Sequence, residues 1–265
     1  MKKIKPTKLF FPLDVPTLKE AGILLSQIAE HIDVIKVGHE LMTNVGVHAA
    51  VNLPKVFGKK VFADTKFYDI PNTVKRAAAA ITCHGVDYFN VMCEGGRDMM
   101  AAAIEGSREQ ALAWGIPRPQ VIAVTIPTSQ VYRDLRKKGM CDCVNHAKLT
   151  ITEEQKFVER IVFLLAKEAF AAGVDCVLCS PLEAPLLQER WPNKEILTPG
   201  IKYLGDAPDD QKRVLSPYEA RYQGITNLVI GRLISSPPAG MTPKTMVERI
   251  RMDIARAELQ LRAAH

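Results

Sequence analysis

Three charged residues stand inside a stretch that otherwise reads as a buried strand and turn: Asp64, Lys66 and Asp69 in Lys60-Val61-Phe62-Ala63-Asp64-Thr65-Lys66-Phe67-Tyr68-Asp69-Ile70-Pro71-Asn72-Thr73. Residues two apart on a strand share a face, so Asp64 and Lys66 point the same way. If the run is buried, an ion pair sits where a hydrophobe is the norm, and taking charges out of water costs several kcal/mol unless they are well paired. A surface Asp–Lys pair at a strand end is the plainer reading of the spacing alone. Lys36 interrupts a second apolar run, Asp33-Val34-Ile35-Lys36-Val37-Gly38, and Asp14 ends a first one, Leu9 to Val15. For Lys36 the plainer reading is a core stem with a snorkelling head. No histidine belongs to this set, which argues against imidazole acid–base chemistry. A lysine between aspartates stays protonated, because opposite charges within about 4–6 Å favour the ionised form. Such a lysine donates a proton or stabilises a carbanion and is a poor nucleophile.

The elements that must position these groups alternate. Apolar β-type runs begin near Leu9, Asp33, Lys60, Asp87, Gln120, Cys176, Glu195 and Asn227. Helical spacing fills Thr17 to His31, Glu40 to Leu53, Thr73 to Cys83, Met99 to Gln110, Pro181 to Arg190, Ser216 to Tyr222 and Lys244 to Arg262. Thr152, with Glu154 nearby, opens a further helix to about Ala172. The longest connection runs from Pro127 to Leu149, and loops of that length are usually functional or mobile. Strand alternating with helix, with no linker or shift in composition, predicts a single (β/α)8 barrel over residues 1–265. A doubly wound open sheet is the alternative, but no Gly-x-Gly-x-x-Gly follows the first strand.

Composition removes several classes. At 47% hydrophobic and 24% charged the chain is an ordinary globular protein, and no apolar run approaches the roughly 18 residues of a membrane span. The basic start is followed by too short an apolar run for a signal peptide, so the expected location is the cytoplasm. The cysteines do not form a disulfide framework. Cys176 and Cys179, three apart on a strand, face opposite ways, while Cys141, Cys143 and His146 lack a partner motif for zinc. Net charge of +6 is scattered, and its one cluster, Arg133 to Lys138, reads as a solvated helix end rather than a nucleic-acid patch. A small anionic substrate suits that balance.

Barrel active sites collect at the carboxyl ends of the strands, where Asp14, Lys36, Asp64, Lys66 and Asp69 all fall. Beyond the seventh and eighth strands, Thr198-Pro199-Gly200 and Gly231-Arg232 let backbone amides approach an anion beside a guanidinium, the usual phosphate corner of such barrels. Turn formation alone is the bland alternative for the glycines. Gln211, in the loop between, could close over that phosphate.

These residues carry a resemblance. Leu13-Asp14-Val15-Pro16-Thr17, Ile35-Lys36-Val37-Gly38, Asp64 through Thr73, Thr198-Pro199-Gly200-Ile201, Gly205-Asp206 through Gln211-Lys212-Arg213, and Val229-Ile230-Gly231-Arg232 resemble the orotidine 5′-phosphate decarboxylase family, in order along essentially the whole chain. Related sugar-phosphate decarboxylases share Asp-x-Lys-x-x-Asp; the continuation Ile-Pro-Asn-Thr and the other blocks give the match its specificity. The resemblance implies decarboxylation of orotidine 5′-phosphate to UMP without metal or cofactor. It places Asp64 against the substrate carboxylate and makes Lys66 the group that stabilises and protonates the C6 carbanion. Lys36 and Asp69 complete the charged chain, and Asp14 with Lys36 holds the ribose hydroxyls. Thr128 and Ser129 touch the pyrimidine; Pro199, Lys202, Gln211, Gly231 and Arg232 belong to the phosphate side. Asp69, Ile70 and Thr73 reach a neighbouring subunit's site, implying a homodimer with shared active sites and neither nucleic-acid nor membrane partners.

The chain departs from the family pattern in three places. Lys202 stands where many members have arginine, a point charge in place of a fork. Val91 to Gly96 lacks a histidine often found before Gly-Gly, and the Pro127–Leu149 segment is long. Two alternatives remain in view. A Mg²⁺-dependent sugar-phosphate decarboxylase needs an acidic ligand near the end of strand two, where this chain has Lys36. A non-catalytic nucleotide-binding barrel predicts UMP binding without turnover.

Overall fold

The computed structural model describes residues 5–140, 149–203 and 213–263. Eight parallel strands close in sequence order into one barrel: β1 Lys8–Pro12, β2 Val34–Val37, β3 Lys60–Phe67, β4 Tyr88–Met92, β5 Gln120–Val124, β6 Cys176–Leu178, β7 Glu195–Thr198 and β8 Asn227–Val229. Around them lie α1 Leu18–Ile28, α2 His39–Val45, α3 Val47–Val56, α4 Pro71–Cys83, α5 Gly96–Trp114, α6 Tyr132–Lys137, α7 Ile151–Ala172, α8 Ala184–Arg190, α9 Pro217–Tyr222, α10 Arg232–Ser235 and α11 Pro243–Ala263. The helical run expected from Glu40 to Leu53 is two helices, because Gly46 adopts φ 81° between them. The α7 cap is Thr150, whose hydroxyl and the Glu153 carboxylate form a reciprocal capping box, so the helix starts before Thr152. The basic cluster Arg133–Lys138 lies on and just beyond the short, largely solvated α6.

Strand alternation explains how charges come to line the mouth. One side chain from every strand fills the barrel: Phe10, Val34, Phe62, Tyr88, Ile122, Cys176, Leu197 and Val229. Phe10 meets the rings of Phe62 and Tyr88 edge-on, at 6.4 and 5.5 Å between centroids. Two residues further along six of those strands stand Pro12, Lys36, Asp64, Asn90, Val124 and Leu178, which the period of two turns inward as the next layer. Cys176 therefore faces the barrel interior, whereas Cys179 packs among the residues of the outer core.

The opposite end of the barrel is closed by a repeated device. Asp33, Asp87 and Asp175 each precede an even-numbered strand and accept a backbone N–H from the strand before it, from Leu9 at 2.7 Å, Val61 at 2.8 Å and Val121 at 2.8 Å. Arg251 and Arg118 neutralise two of these carboxylates, both at 2.7 Å. Stability is thus built at the amino ends of the strands, leaving the carboxyl ends to the site.

Candidate active site

At the carboxyl ends, Pro12, Lys36, Asp64, Val124 and Leu178 of this second layer floor a cavity of about 380 Å³, with Asn90 behind them. Asp64 is 6% exposed, and both of its oxygens are occupied. Oδ2 accepts from Lys36 Nζ at 2.5 Å; Oδ1 accepts from Lys66 Nζ at 2.6 Å and from Asn90 Nδ2 at 2.7 Å. Lys36 continues the chain to Asp14 Oδ1 at 3.7 Å. Burial opposes the charge on both central groups, but the partners overcome it. Asp64 lies well below the usual carboxylate range because of Lys36 and Lys66, and Lys36 is raised because of Asp64 and Asp14. The outcome is an alternation of anion and cation, Asp14–Lys36–Asp64–Lys66, largely buried at its two central members and open to solvent at its two ends, with every neighbouring pair in contact.

Lys66 differs from Lys36 in access, with its side chain 41% exposed against 13%. Its backbone is also unusual, at φ 45°, the only non-glycine residue with positive φ among those described. For an L-residue that region costs roughly 1–2 kcal/mol. The strain sits at a break in the β3–β4 register, where Ala63 pairs with Phe89 but Phe67 pairs with Val91. Bulges of this kind re-aim a side chain near active sites.

The wall contributed by the loops after β7 and β8 holds Pro199, Ile201, Lys202, Gly231 and Arg232. Because β7 lies four strands from β3 in the closed order, this wall stands across the mouth from Asp64 and Lys66. Gly200 makes its shape possible: it has φ 87°, and a Cβ there would lie 2.6 Å from the Arg213 carbonyl oxygen. The third wall is Pro127 and buried Thr128, after β5.

Of the residues anticipated from the sequence, the structure brings Asp14, Lys36, Asp64, Lys66, Thr128, Pro199, Lys202, Gly231 and Arg232 to this cavity. Asp69, Ile70, Thr73 and Ser129 are exposed and outside its lining. Asp69 accepts the Ile70 N–H at 2.6 Å. Gln211 lies outside the described residues, as do Cys141, Cys143 and His146. Sequence reasoning missed Asn90, whose signal was a lone amide in the apolar run Tyr88–Met92. It also missed a buried ion pair between Arg213 Nη1 and Glu183 Oε1 at 2.5 Å. The same guanidinium donates to the carbonyls of Ile126 and Pro127, both at 3.2 Å, bracing the loop that carries Thr128. Arg213 was visible only as the end of a motif, and Glu183 only as one charge near a short helix.

Chemically, a carboxylate held ionised by its partners repels a second carboxylate pressed directly against its oxygens, while an accessible ammonium beside it can deliver a proton. Joined to a wall that carries Lys202 and Arg232, this defines a (β/α)8 enzyme whose cavity suits a small anionic substrate. Comparison with known proteins is more specific. The model of the orotidine 5′-phosphate decarboxylase / HUMPS family matches residues 7–239. The orotidine 5′-phosphate decarboxylase of Moorella thermoacetica is 40% identical over 234 residues, 87% of this chain and 86% of that one. That of Pseudomonas aeruginosa is 40% identical over 223 residues, 84% and 88% of the two chains. The crystal structure of the Lactobacillus acidophilus orotidine 5′-phosphate decarboxylase superposes with a TM-score of 0.74 at 30% identity, covering 94% of this chain and 99% of that one. The chain belongs to the orotidine 5′-phosphate decarboxylase / HUMPS family.

Proposed function

We propose that this chain decarboxylates orotidine 5′-phosphate to UMP in pyrimidine biosynthesis, and that its Lys–Asp chain does the work without metal or organic cofactor. The observation that carries this reading is the Lys36–Asp64–Lys66 contact set, centred on buried Asp64, across the mouth from the Lys202 and Arg232 wall. With the phosphate on that wall, the orotate carboxylate comes to rest against Asp64. Two anions in one low-dielectric site repel, and the repulsion ends when the C6–carboxylate bond breaks and neutral CO₂ leaves. The bonding electrons remain on C6, beside the Lys66 ammonium. Lys66 then gives its proton to C6, forming UMP, and the neutral amine recovers a proton from water. Lys36 keeps Asp64 ionised throughout and, with Asp14, presents donor and acceptor groups to the ribose hydroxyls. Thr128 packs at the pyrimidine, and Gln211 with the Gly231 amide completes the phosphate contacts.

The free thiols Cys83, Cys93, Cys176 and Cys179 suit a reducing cytoplasm. Asp69, Ile70 and Thr73 stand exposed just after the strand that carries Lys66, which supports their reaching a second copy's cavity in a homodimer. One experiment tests the proton donor and the shared site together. Lys66→Ala and Asp69→Ala are each expected to lose turnover, whereas mixed subunits regain roughly a quarter of it, since half the dimers are mixed and each has one intact site. No recovery on mixing refutes the shared site; near-normal turnover by Lys66→Ala refutes its role as proton donor.

A further inference from the structure

The mechanism requires the Lys66 ammonium to be aimed at one carbon, yet Lys66 lies on the irregular part of β3. Between the pairs Ala63–Phe89 and Phe67–Val91, β3 advances by four residues while β4 advances by two. Asp64, Thr65 and Lys66 therefore stand opposite a single residue, Asn90, and the regular ladder cannot satisfy them all. Asn90 supplies what the ladder loses. Its Oδ1 accepts the Lys66 N–H at 2.6 Å, its backbone carbonyl accepts the Thr65 hydroxyl at 2.8 Å, and its Nδ2 donates to Asp64 Oδ1 at 2.7 Å. The last oxygen is the one that also holds the Lys66 ammonium, at 2.6 Å. One fully buried amide thus grips Lys66 at both ends, directly at the backbone and through Asp64 at the head.

We propose that Asn90 is a positioning residue for decarboxylation, setting the aim of Lys66 by holding it in its left-handed conformation against Asp64. It does not line the cavity and touches no reacting atom. The amide is suited to the task because it offers one acceptor and one donor on adjacent atoms, and no other uncharged side chain of that length does so. An aspartate keeps the acceptor for Lys66 but turns a carboxylate oxygen toward Asp64, and an alanine removes both bonds. This role rests on the reaction proposed above.

The test measures kcat and KM for orotidine 5′-phosphate and the Kd for UMP in wild type, Asn90→Ala and Asn90→Asp, with thermal unfolding of each. Misplacing a reacting group by about 1 Å costs on the order of 10²-fold in rate, so both variants are expected to lose about that much in kcat while the Kd for UMP stays within about threefold. Should Asn90→Ala fail to fold, Asn90→Asp, nearly identical in shape, gives the same reading. A kcat within a few-fold of wild type in a folded variant overturns the role. So does a parallel fall of kcat and UMP affinity, which marks a residue needed only for the fold of the mouth. Wild-type protein that leaves orotidine 5′-phosphate unchanged overturns the reading of the reaction, and the role with it; an active wild type matched by an equally active variant overturns the role alone.

Discussion

Lys36→Met takes away one of the two ammonium groups that hold Asp64 and leaves the carboxylate with an unpaired, buried Oδ2. Breaking a buried ion pair from one side ordinarily costs about 3–5 kcal/mol, because the surviving charge stays out of water. The low end applies here, as Asp64 retains Lys66 and Asn90 on Oδ1. A loss of about 3 kcal/mol corresponds to roughly 6–12 °C in Tm at the ~2–4 °C per kcal/mol of a chain this size. The same argument fixes the second mutation. Adding Asp64→Asn removes the stranded charge, so the double variant is expected to recover most of the stability lost by Lys36→Met while remaining inactive. Urea unfolding of the wild type, both single variants and the double variant closes the cycle, and residues in direct contact should couple by more than about 1 kcal/mol. A Lys36→Met protein within about 1 kcal/mol of wild type, or a double variant no more stable than that single one, refutes the claim that Lys36 and Asp64 are a buried, mutually dependent pair.

Two further outcomes follow from named contacts. Asp64 is depressed in the folded chain, so its stabilising contribution is complete above the ordinary carboxylate range near pH 4 and is lost as pH falls through the lower folded value. Stability should fall by up to about 1.4 kcal/mol per pH unit on this account below about pH 4, and Asp64→Asn should remove that component; equal acid slopes in urea unfolding would contradict it. Gly200→Ala places a Cβ 2.6 Å from the Arg213 carbonyl oxygen at a φ of 87°. It is expected to cost about 1–3 kcal/mol and to weaken UMP binding, because Pro199, Ile201 and Lys202 must shift with it; wild-type stability and affinity would show that the wall tolerates the change.

The order of strands and helices was legible because each β-type run is short, apolar and bounded by turns or polar helices. Lys36 and Asp64 were legible for the same reason, as charges inside runs that otherwise bury completely. What escaped depended on partners distant in the chain. The bulge is a property of two strands, and neither the left-handed Lys66 nor the compensation by Asn90 can be read from β3 alone. Arg213 and Glu183 lie thirty residues apart and meet only because three loops converge at the mouth. The break at Gly46 is different: a glycine in a helical pattern is a local signal, and the apolar spacing on either side of it concealed the positive φ. The short helix α10 was not legible either: the eighth strand stops at Val229, and Arg232 starts a helix at the cavity rim.

The central claim is that this cavity decarboxylates orotidine 5′-phosphate through its own lysines and aspartates. Its most direct test is the ultraviolet absorbance of orotidine 5′-phosphate mixed with the purified chain, with and without EDTA. Loss of the orotate chromophore at the same rate in both samples, with UMP as product, is the predicted result. An unchanged spectrum from protein that binds UMP tightly would contradict the claim and leave a nucleotide-binding barrel; turnover abolished by the chelator would contradict its metal-free half.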